Sequence, residues 1–314
     1  MMSSSQGGVN TTQNYYEYDN ASGSYVYEDE YIFFYLGWII LQGIILVICG
    51  IGFVGNGYII WLLGFQIKKN SFTTFILNLA ITDFGYLTCT FIYSMQPFTN
   101  FQGGSILYDI CAFFIHMTYT NANFLLTAIS IDRCVAVRFP IWHRCSRPKH
   151  LSSNVCVLLW ISSFLLSGSM SIMRVFVNDI PLIIHYLVAA IVCLPLITLS
   201  TVILFFKVRR KSNQKNRSRL LLMITMTLLC FLILAFPLNV LVVIINFSNI
   251  DTYTIIFWNA GIIMCSCLNS SINPVIYFLV GRKKGAQSKE SMKVILQKVF
   301  KEEETTGGSN RREK

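Results

Sequence analysis

The sequence predicts an all-α membrane protein: a seven-transmembrane helix bundle followed by a C-terminal amphipathic helix on the membrane surface. Three observations predict it. Of 314 residues, 54% are hydrophobic and only 13% charged, with a mean hydropathy of +0.56; a soluble chain carries about 25% charged residues. Seven apolar runs, at 33–64, 72–95, 107–136, 152–172, 182–207, 218–246 and 252–279, are each long enough to cross about 30 Å of hydrocarbon. The basic residues avoid the first 67 positions and then fall in blocks between alternate runs. That blocking explains the net charge of +10 as retention of Lys and Arg on one side of a membrane. No polyanionic partner is needed, and nucleic acid is not expected.

Residues 1–32 form a polar tail with five acids, six tyrosines and no basic residue. Such a composition cannot bury enough apolar surface to fold, so a disordered solvated leader is expected. It lacks the apolar core of a cleavable signal. Asn10-Thr11-Thr12 and Asn20-Ala21-Ser22 are glycosylation sequons if the tail lies outside. The bundle is expected over 33–280. Orientation follows from the basic blocks: Lys68 and Lys69, five residues from Arg133 to Lys149, seven from Lys207 to Arg219, and ten from Arg282 to Lys314. Only Arg174 is left on the other side, which puts the N-terminus outside, and a plasma-membrane location is expected. In the segment 281–300, Met292, Ile295, Leu296, Val299 and Phe300 recur at helical spacing among Lys and Arg. This pattern suits a helix lying on lipid, and residues 301–314 are left as a cytoplasmic tail.

Charged and amide side chains inside apolar runs carry the functional signal. Asp83 sits in the middle of the second run, where a carboxylate costs about 2.5–3.5 kcal/mol unless it faces the bundle interior. Its candidate partners are Asn56 in the first run, Asn121 and Asn123 in the third, and Asn269, Ser270 and Asn273 in the seventh. The third run ends on adjacent opposite charges, Asp132–Arg133. One reading is a stop-transfer signal; the other is a switch, an arginine held by its neighbour until a partner takes it. Pro195, Pro237 and Pro274 interrupt the fifth, sixth and seventh runs. Each removes a backbone hydrogen bond and supplies a kink.

Other membrane functions fit poorly. A retinal Schiff base needs a lysine in the last run, and residues 252–279 contain none. A transporter is expected to show internal repeats, which the chain lacks. The four histidines are scattered, so no nucleophile–base or metal set can be assembled, and no enzyme is expected. The ten cysteines fall mostly within apolar runs, without a CxxC pair. Neither a metal site nor a disulfide framework is read, and no cofactor is implied.

These residues, taken in order, match a family pattern: Asn56 in GFVGN, Leu79 and Asp83 in LNLAITD, Asp132–Arg133, Trp160, Pro195, Phe231 with Pro237, and Asn273-Pro274-Val275-Ile276-Tyr277. The chain resembles the rhodopsin-like G-protein-coupled receptors over about residues 33–300. DRC, PIWHRCSRPKH, SSNVCVLLW and LAFP resemble the Mas-related group more narrowly. The resemblance implies that Arg133 meets a heterotrimeric G protein, with Asp132 its resting partner. It implies a polar relay of Asn56, Asp83, Asn269 and Asn273, with Pro274 and Tyr277 at the inner swivel. Ala235 stands where most of these receptors have a tryptophan, and Tyr108 where the third helix offers a cysteine. Both departures fit the Mas-related group.

The resemblance also shapes the expected ligand. Ile115 occupies the turn where an amine receptor would show an aspartate, so small amines are not expected. With neither tryptophan nor disulfide, the pocket should be broad and shallow, suited to a peptide. Asp109, Asp179 and Asp251 at the mouth, against Arg174 alone, favour a cationic peptide by long-range attraction. His116 and His185 are placed deeper, and Phe176, Tyr186, Phe257 and Trp258 are the expected aromatic contacts. Membrane lipids are the remaining expected partner.

Overall fold

A computed structural model describes residues 11–99, 105–148, 150–176, 184, 186–210, 217–234, 240–241, 244, 252–281, 293–294 and 297. Among them all regular structure is helical: α1 Thr11–Trp61, α2 Ser71–Ser94, α3 Ser105–Arg138, α4 Pro140–Cys145, α5 Leu151–Phe176, α6 Leu194–Arg210, α7 Arg217–Leu234 and α8 Thr252–Gly281. Seven of these match the apolar runs in order. The eighth, α4, is a six-residue helix that the pattern did not announce. Pro140 opens it at the first helical position, where a missing N–H costs nothing.

The largest difference from expectation is at the start. The backbone of residues 11–31 continues α1, where a structureless tail is read from composition. Extending a helix needs no new nucleus, and no proline interrupts residues 11–61. Composition excluded a core there, but it did not exclude helical backbone. Most of the expected surface helix 281–300, and Ala235, Pro237, Asp179, His185 and Asp251, lie outside the described residues.

The ends of the helices have local causes. Asn70 caps α2: its Oδ1 accepts from the N–H groups of Phe72 (3.0 Å) and Thr73 (2.7 Å), while the Thr73 hydroxyl accepts from the Asn70 N–H. This reciprocal box satisfies donors that have no partner inside the helix. Upstream of α6, residues Ala189–Cys193 form one wide π turn, closed by the Leu194 N–H on the Ala189 carbonyl. Pro195 follows at once. Proline offers no N–H to the carbonyl four residues back, so the ladder widens before it.

Helix α1 packs on α2 and α8, α2 on α3, and α7 on α6 and α8, while α3 touches α2, α5, α6 and α7. Helix α3 therefore runs through the interior. Among the described residues five helices are long and apolar enough to cross a membrane by composition; α3 is not among them, although its 34 residues would span about 50 Å. The reason is its surroundings. It is lined by protein and so can carry Thr118, Asn121, Asn123 and Ser130, all buried. Helices on the outside show the opposite pattern, with Ile51, Val54, Leu158, Phe206 and Ile233 largely exposed, as a lipid-facing surface requires. The main core joins Leu79, Leu125, Ile197, Leu204, Met223, Leu228, Ile276 and Tyr277.

Candidate functional site

Two polar centres lie along the interior. The first is at the middle of the bundle. Asp83, 1% exposed, accepts a hydrogen bond from Asn273 Nδ2 at 2.8 Å. Ser270, on the same helix, is a second hydrogen-bond partner of Asp83, so two side chains of α8 tie it to α2. Asn56 does not join this pair. Its Nδ2 donates to the backbone carbonyls of Gly52 and Ser270, each at 3.0 Å, and fastens α1 to α8. The close approach depends on small residues: a Cβ on Gly52 would overlap the side chains of Ser271 and Leu87, and one on Gly55 would stand 3.2 Å from the Pro274 ring.

Asn121, one of the candidate partners of Asp83, bonds elsewhere. Asn121 donates to the Thr82 hydroxyl at 2.8 Å and accepts from Ser163 at 3.5 Å, so it faces the junction of α2, α3 and α5. Trp160 Nε1 donates to Asn78 Oδ1 at 3.1 Å in the same seam. Asn123 turns the other way. It lines a small cavity with Tyr86, Tyr119, Phe231, Asn269 and Ser270, and its amide oxygen is buried without a partner among the described residues. Asn269 reaches this cavity, beside Ser270, rather than bonding Asp83 directly in any described contact.

The second centre is at the far end of α3. Arg133 is 3% exposed. Its Nε donates to Asp132 Oδ2 at 3.0 Å, and its guanidinium lies 4.4 Å from the Phe72 ring centroid. The guanidinium is thus held by its own neighbour on α3 and covered by an aromatic ring of α2, an arrangement that offsets part of the cost of burying its charge. Asp132 has further partners that the sequence reading missed. Arg147 Nη2 reaches Asp132 Oδ1 at 2.7 Å, with His143 Nε2 3.5 Å from the same oxygen. Arg147 also donates to the Ser152 hydroxyl and to His143 Nε2, both at 2.6 Å. One carboxylate is therefore shared by two arginines. The available signal was Pro140, which starts α4 and folds the loop back beneath α3. Tyr277 is buried in the main core.

The residues expected to meet a ligand are more scattered. Asp109 is exposed at the start of α3. Ile115 packs beside Tyr86 and Tyr119, and the Tyr119 ring stacks obliquely on Tyr186 at 5.4 Å and on Tyr86 at 6.5 Å. Tyr86 and Tyr119 thus form a floor that links Ile115 to Tyr186, and neither was singled out from sequence. His116 lies half-buried one residue beyond Ile115. Trp258 is 46% exposed and Phe176 81%. Phe257 packs on Phe34 of α1 at 6.4 Å, away from the tyrosine row. For Arg174 only the helical backbone is described. Asn10 lies outside the described residues, and the backbone at Asn20 is part of α1.

Comparisons with known proteins converge with this geometry. Residues 55–179 match the 7 transmembrane receptor (rhodopsin family). The chain is 35% identical over 281 residues to the proto-oncogene Mas of Rattus norvegicus, covering 84% of each chain. It is 37% identical over 266 residues to Mas-related G-protein coupled receptor member H of Rattus norvegicus, covering 82% of each. To member D of Homo sapiens it is 34% identical over 285 residues, covering 86% of this chain and 88% of that one. With identity of this extent over its transmembrane length, the chain belongs to the Mas-related branch of the rhodopsin-type G-protein-coupled receptors, multi-pass membrane proteins that are receptors and not enzymes.

Proposed function

We propose that this receptor sits in the plasma membrane with its N-terminus outside, glycosylated at Asn10 and Asn20, and is activated by a cationic peptide. It signals through heterotrimeric G proteins by release of Arg133. The observation that carries this is the pair at the end of α3. Arg133 is buried on an aromatic ring and held by an adjacent carboxylate that is itself shared with Arg147. An arginine held this way changes partners without any backbone rearrangement of its own. Asp83, Asn273, Pro274 and Tyr277 form the path by which α8 senses the rest of the bundle. Lys293 Nζ donates to Gln66 at 2.8 Å, which supports docking of the 281–300 segment beneath α1, against lipid. The test is GTP-analogue exchange on membranes holding this chain, challenged with a peptide library graded in charge. Exchange driven by peptides bearing Arg or Lys is the expected result. Exchange driven only by neutral or anionic peptides would remove the cationic assignment.

A further inference from the structure

Ser146 closes α4, with its N–H on the Trp142 carbonyl at 2.9 Å, and it is exposed. It stands in Arg144-Cys145-Ser146-Arg147-Pro148-Lys149. Basic residues on both sides of an exposed serine suit the acidic substrate grooves of basophilic protein kinases, because charge complementarity favours encounter and register. Pro148 pushes Arg147 out of helical conformation, so the chain leaves α4 in a form that a groove accepts. The second observation is what Arg147 does. Its side chain is 7% exposed and is bonded to Asp132, His143 and Ser152, while its Nε has no partner among the described residues. The residue following the serine thus carries a buried, unmet donor and the second of two arginine contacts to Asp132.

We propose that Ser146 is a phosphorylation site whose phosphate competes with Asp132 for Arg147. In the transfer, Ser146 Oγ attacks the γ-phosphorus of ATP, a new O–P bond forms, and the bond from that phosphorus to the β-phosphate oxygen breaks. ADP leaves, and the hydroxyl proton passes to the kinase base. The product carries a charge of about −1.5 to −2 at pH 7 and three acceptor oxygens. It outcompetes a single carboxylate for the adjacent guanidinium, and it offers an acceptor to the unmet Nε. Asp132 then keeps Arg133 and His143 as its partners, and with one arginine fewer to share it holds Arg133 more tightly. Phosphorylation is therefore an off-signal, a consequence that rests on the restraint of Arg133 by Asp132 proposed above.

The experiment uses the full chain in membranes, with a basophilic serine/threonine kinase and ATP. Mass spectrometry should find phosphate on Ser146, and Ser146→Ala should lose it. Basal GTP-analogue exchange is then compared for Ser146→Glu, Arg147→Gln and the double variant at matched surface expression. Each single variant should lower exchange about twofold, and the double variant should fall no further than Arg147→Gln alone, as expected of two changes acting through one contact. Absence of phosphate at Ser146 overturns the site. Equal inhibition by Ser146→Glu with and without Arg147 overturns the competition, since the charge would then act on the G protein directly. Asp132→Asn separates this from the underlying reading: basal exchange that fails to rise there sinks the restraint of Arg133, whatever Ser146 does.

Discussion

The two carboxylates of the interior are held in opposite ways. Asp83 is bound by a neutral amide on a helix 190 residues away, so its bond breaks only when α2 and α8 separate. Asp132 is bound by its immediate neighbour and by an arginine from the adjoining loop, so it exchanges partners by side-chain rotation alone. In the function proposed above, the first works as a bolt between helices and the second as a latch. The difference teaches where motion must start and where it is read. A bolt resists small fluctuations and yields to a packing change, while a latch between charges yields as soon as a better partner arrives.

The largest effect should come from removing what the latch holds. Arg133→Ala leaves no guanidinium for a G protein to meet, and exchange should fall by on the order of tenfold or more at unchanged peptide binding. Radioligand binding and GTP-analogue exchange on the same membranes read both quantities. Normal exchange would make Arg133 a packing residue over Phe72. Next, Asp83→Ala strands the Asn273 amide, a buried donor whose loss of partner costs about 1–3 kcal/mol. A lower melting temperature in detergent is expected, together with weaker signalling. Asp83→Asn should recover much of the stability, because the amide oxygen still accepts. Equal stability for the two variants would remove the bolt from the comparison.

Opening the latch should have a smaller, opposite effect. The chain has no acid between Asp179 and Asp251, so α7 supplies none to restrain Arg133. Asp132 and its sharing with Arg147 then set the resting state. Losing a restraint of about 1 kcal/mol raises the active fraction several-fold. Asp132→Ala should accordingly raise basal exchange at equal surface expression; unchanged basal exchange would assign restraint elsewhere.

How much of this could be read beforehand depended on sequence distance. The latch was legible because its members are adjacent, and the bolt because Asp83 and Asn273 are each costly in lipid and match a family pattern. That Asn121 and Asn123 were not both partners of Asp83 has a geometric reason. Positions 121 and 123 are two apart on one helix and do not share a face, so only one could reach the α8 side. Arg147 was missed because its contact with Asp132 depends on how the loop around α4 closes, and loop closure leaves no periodic trace. Phe257 and Trp258 are neighbours whose side chains diverge by about 100°, and the apolar run gave no sign of which faced α1. The helical backbone of 11–31 was hidden by a polar composition that says nothing against helix.

The smallest expected effect lies at the opposite end of α3 from the latch, where the mouth differs from both polar centres. There Asp109 is exposed, and water screens it, so its contribution is to encounter and not to tight binding. Asp109→Asn alone should shift the potency of a cationic peptide by about two- to threefold, a rim effect that resides in the association rate. Adding Asp179→Asn and Asp251→Asn should enlarge the shift, and the shift should fade as ionic strength rises past the point where the Debye length drops below about 8 Å. Association rates measured at two salt concentrations read this directly. A potency change that persists in high salt would mean that one of these acids touches the peptide. No change in the triple variant would leave the mouth acids as solvated helix ends, and recognition would then fall to the tyrosine row of buried Tyr86 and half-buried Tyr119 and Tyr186.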